Sequence, residues 1–289
     1  MNSFKIAVCL SGQARHWKVA AANIKKFFDY SKVHQFHRNV PIETDFFIHT
    51  WDINTWRYPK QMHTNYYNEK HEDLEGIKQA FSPKAIKQET WDKDLFIRAW
   101  DSMFYSFEKS LLLKREYELQ NNINYDAVIK ARLDIVYDPN QQIPFHAIYP
   151  GITGLVPGMC YSSKPINKFT YEFNYNTFDD VLFYGDSRTM DLVGGLYKAY
   201  KKIHNPEALK QLENGRNVDP SLFYGPGCLL YDYMTRMGIH PAVGEPTIDY
   251  AVVRSTAAAE NLDSIENFQK IKEHHAKWYM EIENIKDLI

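Results

Sequence analysis

The opening of this chain constrains its fold most: within the first 52 residues a short apolar run, a polar loop, an amphipathic helix and a second apolar run follow one another. Phe4 to Leu10 is strand-like, and Ser11-Gly12-Gln13-Ala14-Arg15-His16 interrupts it. Trp17, Ala20, Ala21, Ile24, Phe27 and Phe28 then recur at three- and four-residue spacing, while Lys18, Asn23, Lys25 and Lys26 fall elsewhere, which predicts a helix with one apolar face. Thr44 to Thr50 reads as a second buried strand that runs into His49-Thr50-Trp51-Asp52. Two strands joined through a helix form a βαβ unit, in which the strands pair in parallel through a right-handed crossover. The expected fold class is therefore α/β, a Rossmann-like, mostly parallel central sheet flanked by helices.

The rest of the chain continues in that manner. Asn54 to Lys70 is polar and aromatic without a period, and reads as a long excursion over the mouth of the sheet. A helix is predicted over 94–119 on the stripe Trp100, Met103, Phe104, Phe107 and Leu111, and a third buried strand over Tyr125 to Ala131. Prolines and glycines between Pro139 and Lys168 point to loops and short mixed strands, with Ile152 to Val156 strand-like among them. Val181 to Tyr184 is another strand, stopped by Gly185. Asp186 or Ser187 caps the next helix, whose face is Met190, Val193, Leu196, Tyr197 and Tyr200. Pro226 opens a further helix that buries Leu229, Leu230, Tyr233 and Met237 and stops at Gly238. Ile265, Phe268, Ile271, Trp278, Ile282 and Ile285 mark a C-terminal helix. One domain over 1–289 is expected, with halves at 1–138 and 139–250 and the helical tail at 260–289.

Composition excludes several functions. A formal net charge of −2 without a basic stripe speaks against a nucleic-acid partner, because phosphate binding needs a cationic surface. Cys9, Cys160 and Cys228 are too few, odd in number and too far apart for a disulfide framework or a cysteine zinc site, so a reducing compartment, the cytoplasm, is expected. No apolar run is long enough to cross a membrane, and a peripheral membrane contact stays open. The histidines form no HExxH pattern, and there is no Gly-x-Ser-x-Gly elbow, no Walker loop and no GxGxxG.

In open α/β sheets ligands bind beyond the carboxyl ends of the strands. Three polar clusters stand at such ends. Ser11, Gly12, Gln13 and Arg15 combine close backbone approach with donors at a helix N-terminus, the means by which a loop grips a diphosphate. An ordinary βα turn accounts for the same residues. His49, Trp51 and Asp52 could stack on a base or bond a ribose, or Asp52 could simply cap the next segment. Arg132 and Asp134 close the strand from Tyr125, and a surface ion pair is the plain alternative.

The segment Tyr125 to Asp134 resembles the strand and Asp-x-Asp position of GT-A-type glycosyltransferases. With Val8 to Arg15, Phe46 to Asp52 and Asp179 to Gly185, it resembles a group of microbial and viral glycosyltransferases over most of residues 4 to 240. The resemblance implies a nucleotide-sugar donor, handled by the 1–138 half, and a glycan or other hydroxyl acceptor on the 139–250 half. It implies that Ser11, Gly12, Gln13, Arg15, Asp52, Arg132 and Asp134 bind the donor. In that pattern two carboxylates hold Mn²⁺ or Mg²⁺ against the diphosphate. Here Arg132 occupies the first carboxylate position, which leaves two alternatives: Asp134 ligates the metal alone, or Arg132 takes its place. Asp180 is the candidate base for the acceptor hydroxyl, its adjacent Asp179 helping to raise its affinity for a proton. The rivals are a sulfotransferase-like, nucleotide-dependent transferase and a non-catalytic carbohydrate-binding protein.

Overall fold

The structure, a computed structural model, describes residues 3–29, 41–52, 54–56, 67–69, 73–91, 99–143, 155–169, 175–203, 226–244, 247–253 and 268–273. It opens as the sequence predicts. β1 (Phe4–Ser11) leads through a loop into α1 (Trp17–Phe27) and back to β2 (Ile42–Trp51), which pairs with β1 in parallel from Phe4 opposite Ile42 to Ser11 opposite His49. The last six residues of each strand are buried, as expected of strands covered on both faces.

Side chains of β1 alternate between two cores. Ile6, Val8 and Leu10 face Trp17, Ala20, Ile24 and Phe27 of α1, together with Ile77 and Phe81 of α2 (Leu74–Phe81). Ala7 and Cys9 face Phe104, Phe107 and Leu111 of α3 (Ala99–Asn121) on the other side. Each fully buried aliphatic or aromatic side chain adds roughly 1.5–3 kcal/mol, so these two opposed cores supply most of what holds the layers together.

Seven strands make one sheet. Beyond β5 (Ala85–Glu89), β6 (Ala127–Ala131), β8 (Met159–Ser162), β11 (Phe183–Gly185) and β12 (His240–Val243), its order is β12-β8-β11-β6-β1-β2-β5. Every neighbouring pair is parallel except the two that involve β11, which alone runs in reverse. Strands from both expected halves thus share one sheet. Smaller pairs are β3 (Asn54–Trp56) with β4 (Tyr67–Glu69), β7 (Ile135–Tyr137) with β13 (Tyr250–Val252), and β9 (Asn167–Phe169) with β10 (Tyr175–Thr177).

Several expectations change. Within Asn54 to Lys70 the described residues form a small antiparallel pair, β3 with β4, apart from the main sheet, where no strand was expected. α2 and β5 had no prediction; β5 carries Lys87, Gln88 and Glu89 and lacks the apolar run that marks buried strands. Leu155 and Val156 are not in a strand, and β8 lies further on, at Met159–Ser162. The helix capped by Asp186, whose carboxylate accepts from the Thr189 N–H, breaks at Gly195 into α4 (Ser187–Gly194) and α5 (Leu196–Ile203). α6 (Pro226–Arg236) buries Leu229, Leu230 and Met234, but Met237 just beyond it is 47% exposed. Residues 268–273 are helical with Phe268 and Ile271 buried, and the rest of the predicted tail lies outside the described residues, as do 94–98 of the helix predicted over 94–119.

Candidate functional site

The sheet reverses its winding between β1, which has β2 and β5 to one side, and β6, which has β11, β8 and β12 to the other. A crevice opens beyond the carboxyl ends at such a point. The ends that meet there are the 12–16 loop after β1, His49 to Trp51 at the end of β2 with Asp52 just beyond it, Glu89 on β5 and Arg132 to Asp134 after β6. Because β11 runs in reverse, it begins where its neighbours end, and this brings Asp179 and Asp180 to the same edge.

The loop after β1 is held from beneath. Gly12 has φ +109°, a conformation that an L side chain rarely adopts. Its N–H donates to Ser106 Oγ at 2.7 Å, and that oxygen lies 2.8 Å from His49 Nδ1 and 3.1 Å from the His49 carbonyl. His49 Nε2 is 3.4 Å from Glu89 Oε2, which also accepts from Tyr105 Oη at 2.6 Å. Burial holds the His49 imidazole down at about 4 against the opposing pull of Glu89, so it is neutral at physiological pH. A carboxylate beside Nε2 favours the proton there, which leaves Nδ1 to accept from the Ser106 hydroxyl. Burial pushes the Glu89 carboxyl up, but hydrogen bonds from Lys87 and Tyr105 and the nearby His49 outweigh it and leave it at about 2. Trp51 stacks on Tyr105 with ring centroids 5.5 Å apart and meets Trp91 edge-on at 5.2 Å, forming an aromatic wall beside the loop.

Downstream of Gly12, His16 precedes α1 as its N-cap in a left-handed conformation, with no side-chain cap, and the helix has no acidic residue in its first turn. The positive end of its dipole is thus not offset by its own sequence. Ser11 is 3% exposed, and its Oγ has no hydrogen-bond partner among the described residues.

Arg132 grips Asp134 through both oxygens, Nε to Oδ1 at 2.8 Å and a terminal nitrogen to Oδ2 at 2.7 Å. Arg15 Nε stands 3.8 Å from the same Oδ2. Side chains of both arginines are 20% exposed and that of Asp134 only 2%. Two guanidinium groups therefore share one buried carboxylate. This donor set does not fit a hard divalent cation, which needs several oxygen ligands: the carboxylate's oxygens are both taken, and two fixed cations adjoin it. Among the described residues no three His, Cys, Asp or Glu side chains gather as a metal site.

The two aspartates before β11 differ in role. Asp179 is a structural hub, accepting from the Val181 N–H at 2.9 Å, from Tyr250 Oη at 2.8 Å and from Ser163 Oγ. Burial pushes its carboxyl upward. Asp180 is half-buried, and its backbone carbonyl accepts from Lys130 Nζ, which also donates to the Val181 carbonyl at 3.3 Å. Lys130, on β6, is 1% exposed; burial pulls its ammonium down to about 8, with Asp180 opposing and Arg132 reinforcing.

The structure thus gathers Ser11, Gly12, Gln13, Arg15, Arg132, Asp134 and Asp180 at one edge. Asp52 lies at the same edge on the β2 side, where its Oδ1 accepts from the Trp91 N–H at 2.9 Å, a tie to the chain beyond β5 rather than a cap on the segment that follows it. Residues the sequence reading missed are Ser106, Glu89, Tyr105 and Lys130. A serine on a long helix and a lysine within an apolar strand look solvent-facing in one dimension. The usable signal was spacing: Ser106, Ser110, Lys114 and Glu118 recur every four residues, and all four are buried.

No protein-family model and no curated protein matches the chain. A solved structure, the crystal structure of a glycosyltransferase involved in the glycosylation of the major capsid of PBCV-1, is 9% identical and aligns over 84% of this chain and 82% of its own, with a TM-score of 0.35. No helix among the described residues is long and apolar enough to cross a membrane.

Proposed function

We propose that this chain is a glycosyltransferase that uses a nucleoside-diphosphate sugar and passes the sugar to a hydroxyl-bearing acceptor. The observation that carries the reading is the convergence of the Gly12 loop, the Arg132–Asp134 turn and the Asp180 turn at the winding reversal of one sheet. Numbered within that sheet, the strand order is 3-2-1-4-6-5-7 with the sixth strand reversed, and a mostly parallel central sheet flanked by helices is what the resemblance of the sequence implies.

In this reading the Gly12 loop and the first turn of α1 face the diphosphate with Arg15 and Arg132, and the half-buried Trp91 and Tyr105 border the nucleoside, backed by the buried Trp51. Asp180 accepts the acceptor's proton as its oxygen bonds to the anomeric carbon, and the bond from that carbon to the diphosphate breaks, releasing the nucleoside diphosphate. Lys130 holds the backbone that presents Asp180.

Thermal melts with UDP-, GDP-, CMP- and dTDP-linked sugars test the donor, since a ligand at 100 times its Kd stabilises the folded state by about 2.7 kcal/mol. One nucleotide sugar is expected to raise the melting temperature, and Asp180→Asn is expected to keep that binding while losing turnover. A shift with adenosine bisphosphate alone would favour sulfuryl transfer instead. Glycan binding with no donor binding would make the chain a lectin-like protein.

A further inference from the structure

Beneath the Gly12 loop runs a chain of polar contacts drawn from elements far apart in sequence. It passes from Glu89 on β5 through His49 on β2 and Ser106 on α3 to the Gly12 N–H just past β1. We infer that His49 and Ser106 are positioning residues for the donor: together they fix the course of the loop that the diphosphate meets. The inference rests on the nucleotide-sugar reading and goes beyond it by naming what gives the donor loop its shape.

The direction of each contact follows from its chemistry. Glu89 Oε2, 3.4 Å from His49 Nε2, holds the ring proton on that nitrogen, so Nδ1 keeps its lone pair. Ser106 has a single hydroxyl proton, and Nδ1 at 2.8 Å takes it. The competing acceptor, the His49 carbonyl at 3.1 Å, already receives the Gly12 N–H at 3.2 Å. The serine oxygen is then left with lone pairs toward Gly12, whose N–H reaches it at 2.7 Å. His49 and Ser106 are both fully buried, so no solvent replaces a lost partner, and the pair acts through Gly12 rather than by touching the ligand. Gly12 leaves the strand direction at φ +109° and has no side chain whose packing could anchor the turn. Backbone bonds therefore set the course of the loop there, and Ser106 accepts the shorter of the two at Gly12.

Amide hydrogen exchange at Gly12, together with isothermal titration of UDP, GDP and dTDP, tests the inference on the parent and on Ser106→Ala, His49→Asn and His49→Gln. In Ser106→Ala the Gly12 amide should exchange about fivefold or more faster, and the nucleoside diphosphate that binds the parent should bind about fivefold or more weakly. The histidine variants both remove the ring but keep different atoms. An asparagine amide stands near the place of Nδ1 and a glutamine amide near that of Nε2. His49→Asn should therefore keep Gly12 protection and ligand affinity within about twofold of the parent, and His49→Gln should behave as Ser106→Ala. This contrast decides the matter also if Ser106→Ala does not fold. Affinity that merely follows the melting temperature in every variant, whichever atom is kept, overturns the inference and leaves the transferase reading standing. So does parent-like affinity in a folded Ser106→Ala. Binding of none of the three nucleotides to the parent rejects the nucleotide-sugar reading. The Gly12 exchange rates then decide alone whether His49 and Ser106 fix the loop: faster exchange in Ser106→Ala and His49→Gln but not in His49→Asn sustains it, and equal rates overturn it.

Discussion

Lys130→Met is the substitution whose effect the structure specifies most closely. The lysine lies on the central strand β6, points to the α3 side of the sheet, and has its Nζ 5.6 Å from the centre of the Phe183 ring and bonded to the carbonyls of Asp180 and Val181. Its charged neighbours are Asp180, Asp179, Arg132 and Asp134. With its ammonium held at about 8 against an ordinary 10.5, the folded protein releases this proton before the unfolded chain does. Between those two pH values the unfolded state binds more protons, so stability contributed by this group rises with pH. Below about pH 8 both states are protonated and the full cost of desolvating the charge is present; at ~1.4 kcal/mol for each tenfold change in proton affinity, that cost is about 3 kcal/mol. Methionine removes the cost, but it also removes a charged donor from two carbonyls, a loss of about 1–3 kcal/mol for each. The two effects largely offset at pH 7, and the variant is expected to melt close to the parent there. The difference between them should then move in the parent's favour by up to about 3 kcal/mol from pH 8 to pH 10.5, roughly 5 °C for a chain of this size. Buried tyrosines act in the opposite sense in that range, but they are common to both proteins and cancel in the comparison. Urea unfolding of both at pH 7, 8, 9 and 10 measures it. Parallel stability curves across that range would refute the desolvated-ammonium argument.

Gly12→Ala adds a Cβ that meets no atom within 4 Å, so its cost comes from the backbone at φ +109° alone, about 1–3 kcal/mol, and a melting temperature equal to the parent's would show that the loop is not held in that conformation. His49 should remain neutral with its proton on Nε2 at pH 6, and its depressed proton affinity should cost stability as pH falls from 6.5 to about 4; imidazole ¹⁵N shifts that report a charged ring at pH 6 would contradict this. The separate loss from Glu89, whose carboxyl sits at about 2 rather than 4.5, belongs to lower pH and should appear as a second acid transition.

The sequence alone determined the βαβ opening, the mostly parallel sheet and which loops reach its carboxyl edge. Those features follow from short-range patterns: the continuous apolar runs of β1 and β2, the three-and-four spacing of α1, and Asp186 at the cap of α4. Only the tertiary structure decided what those loops rest on. β5 was illegible because its polar residues do not alternate against apolar ones, and Glu89 gains its meaning only through His49, 40 positions away in the chain. α3 presents a buried polar stripe beside its apolar one, so Ser106 became the support of Gly12 through a contact 94 residues apart. The reversal of β11, which brings Asp180 to the edge, depends on pairing with β6 and β8 and leaves no mark on three residues of sequence. The Arg132–Asp134 motif was visible from the start, but its ion pair depends on the direction in which two side chains leave a turn, and the burial that gives the pair its strength comes from the strands packed around it.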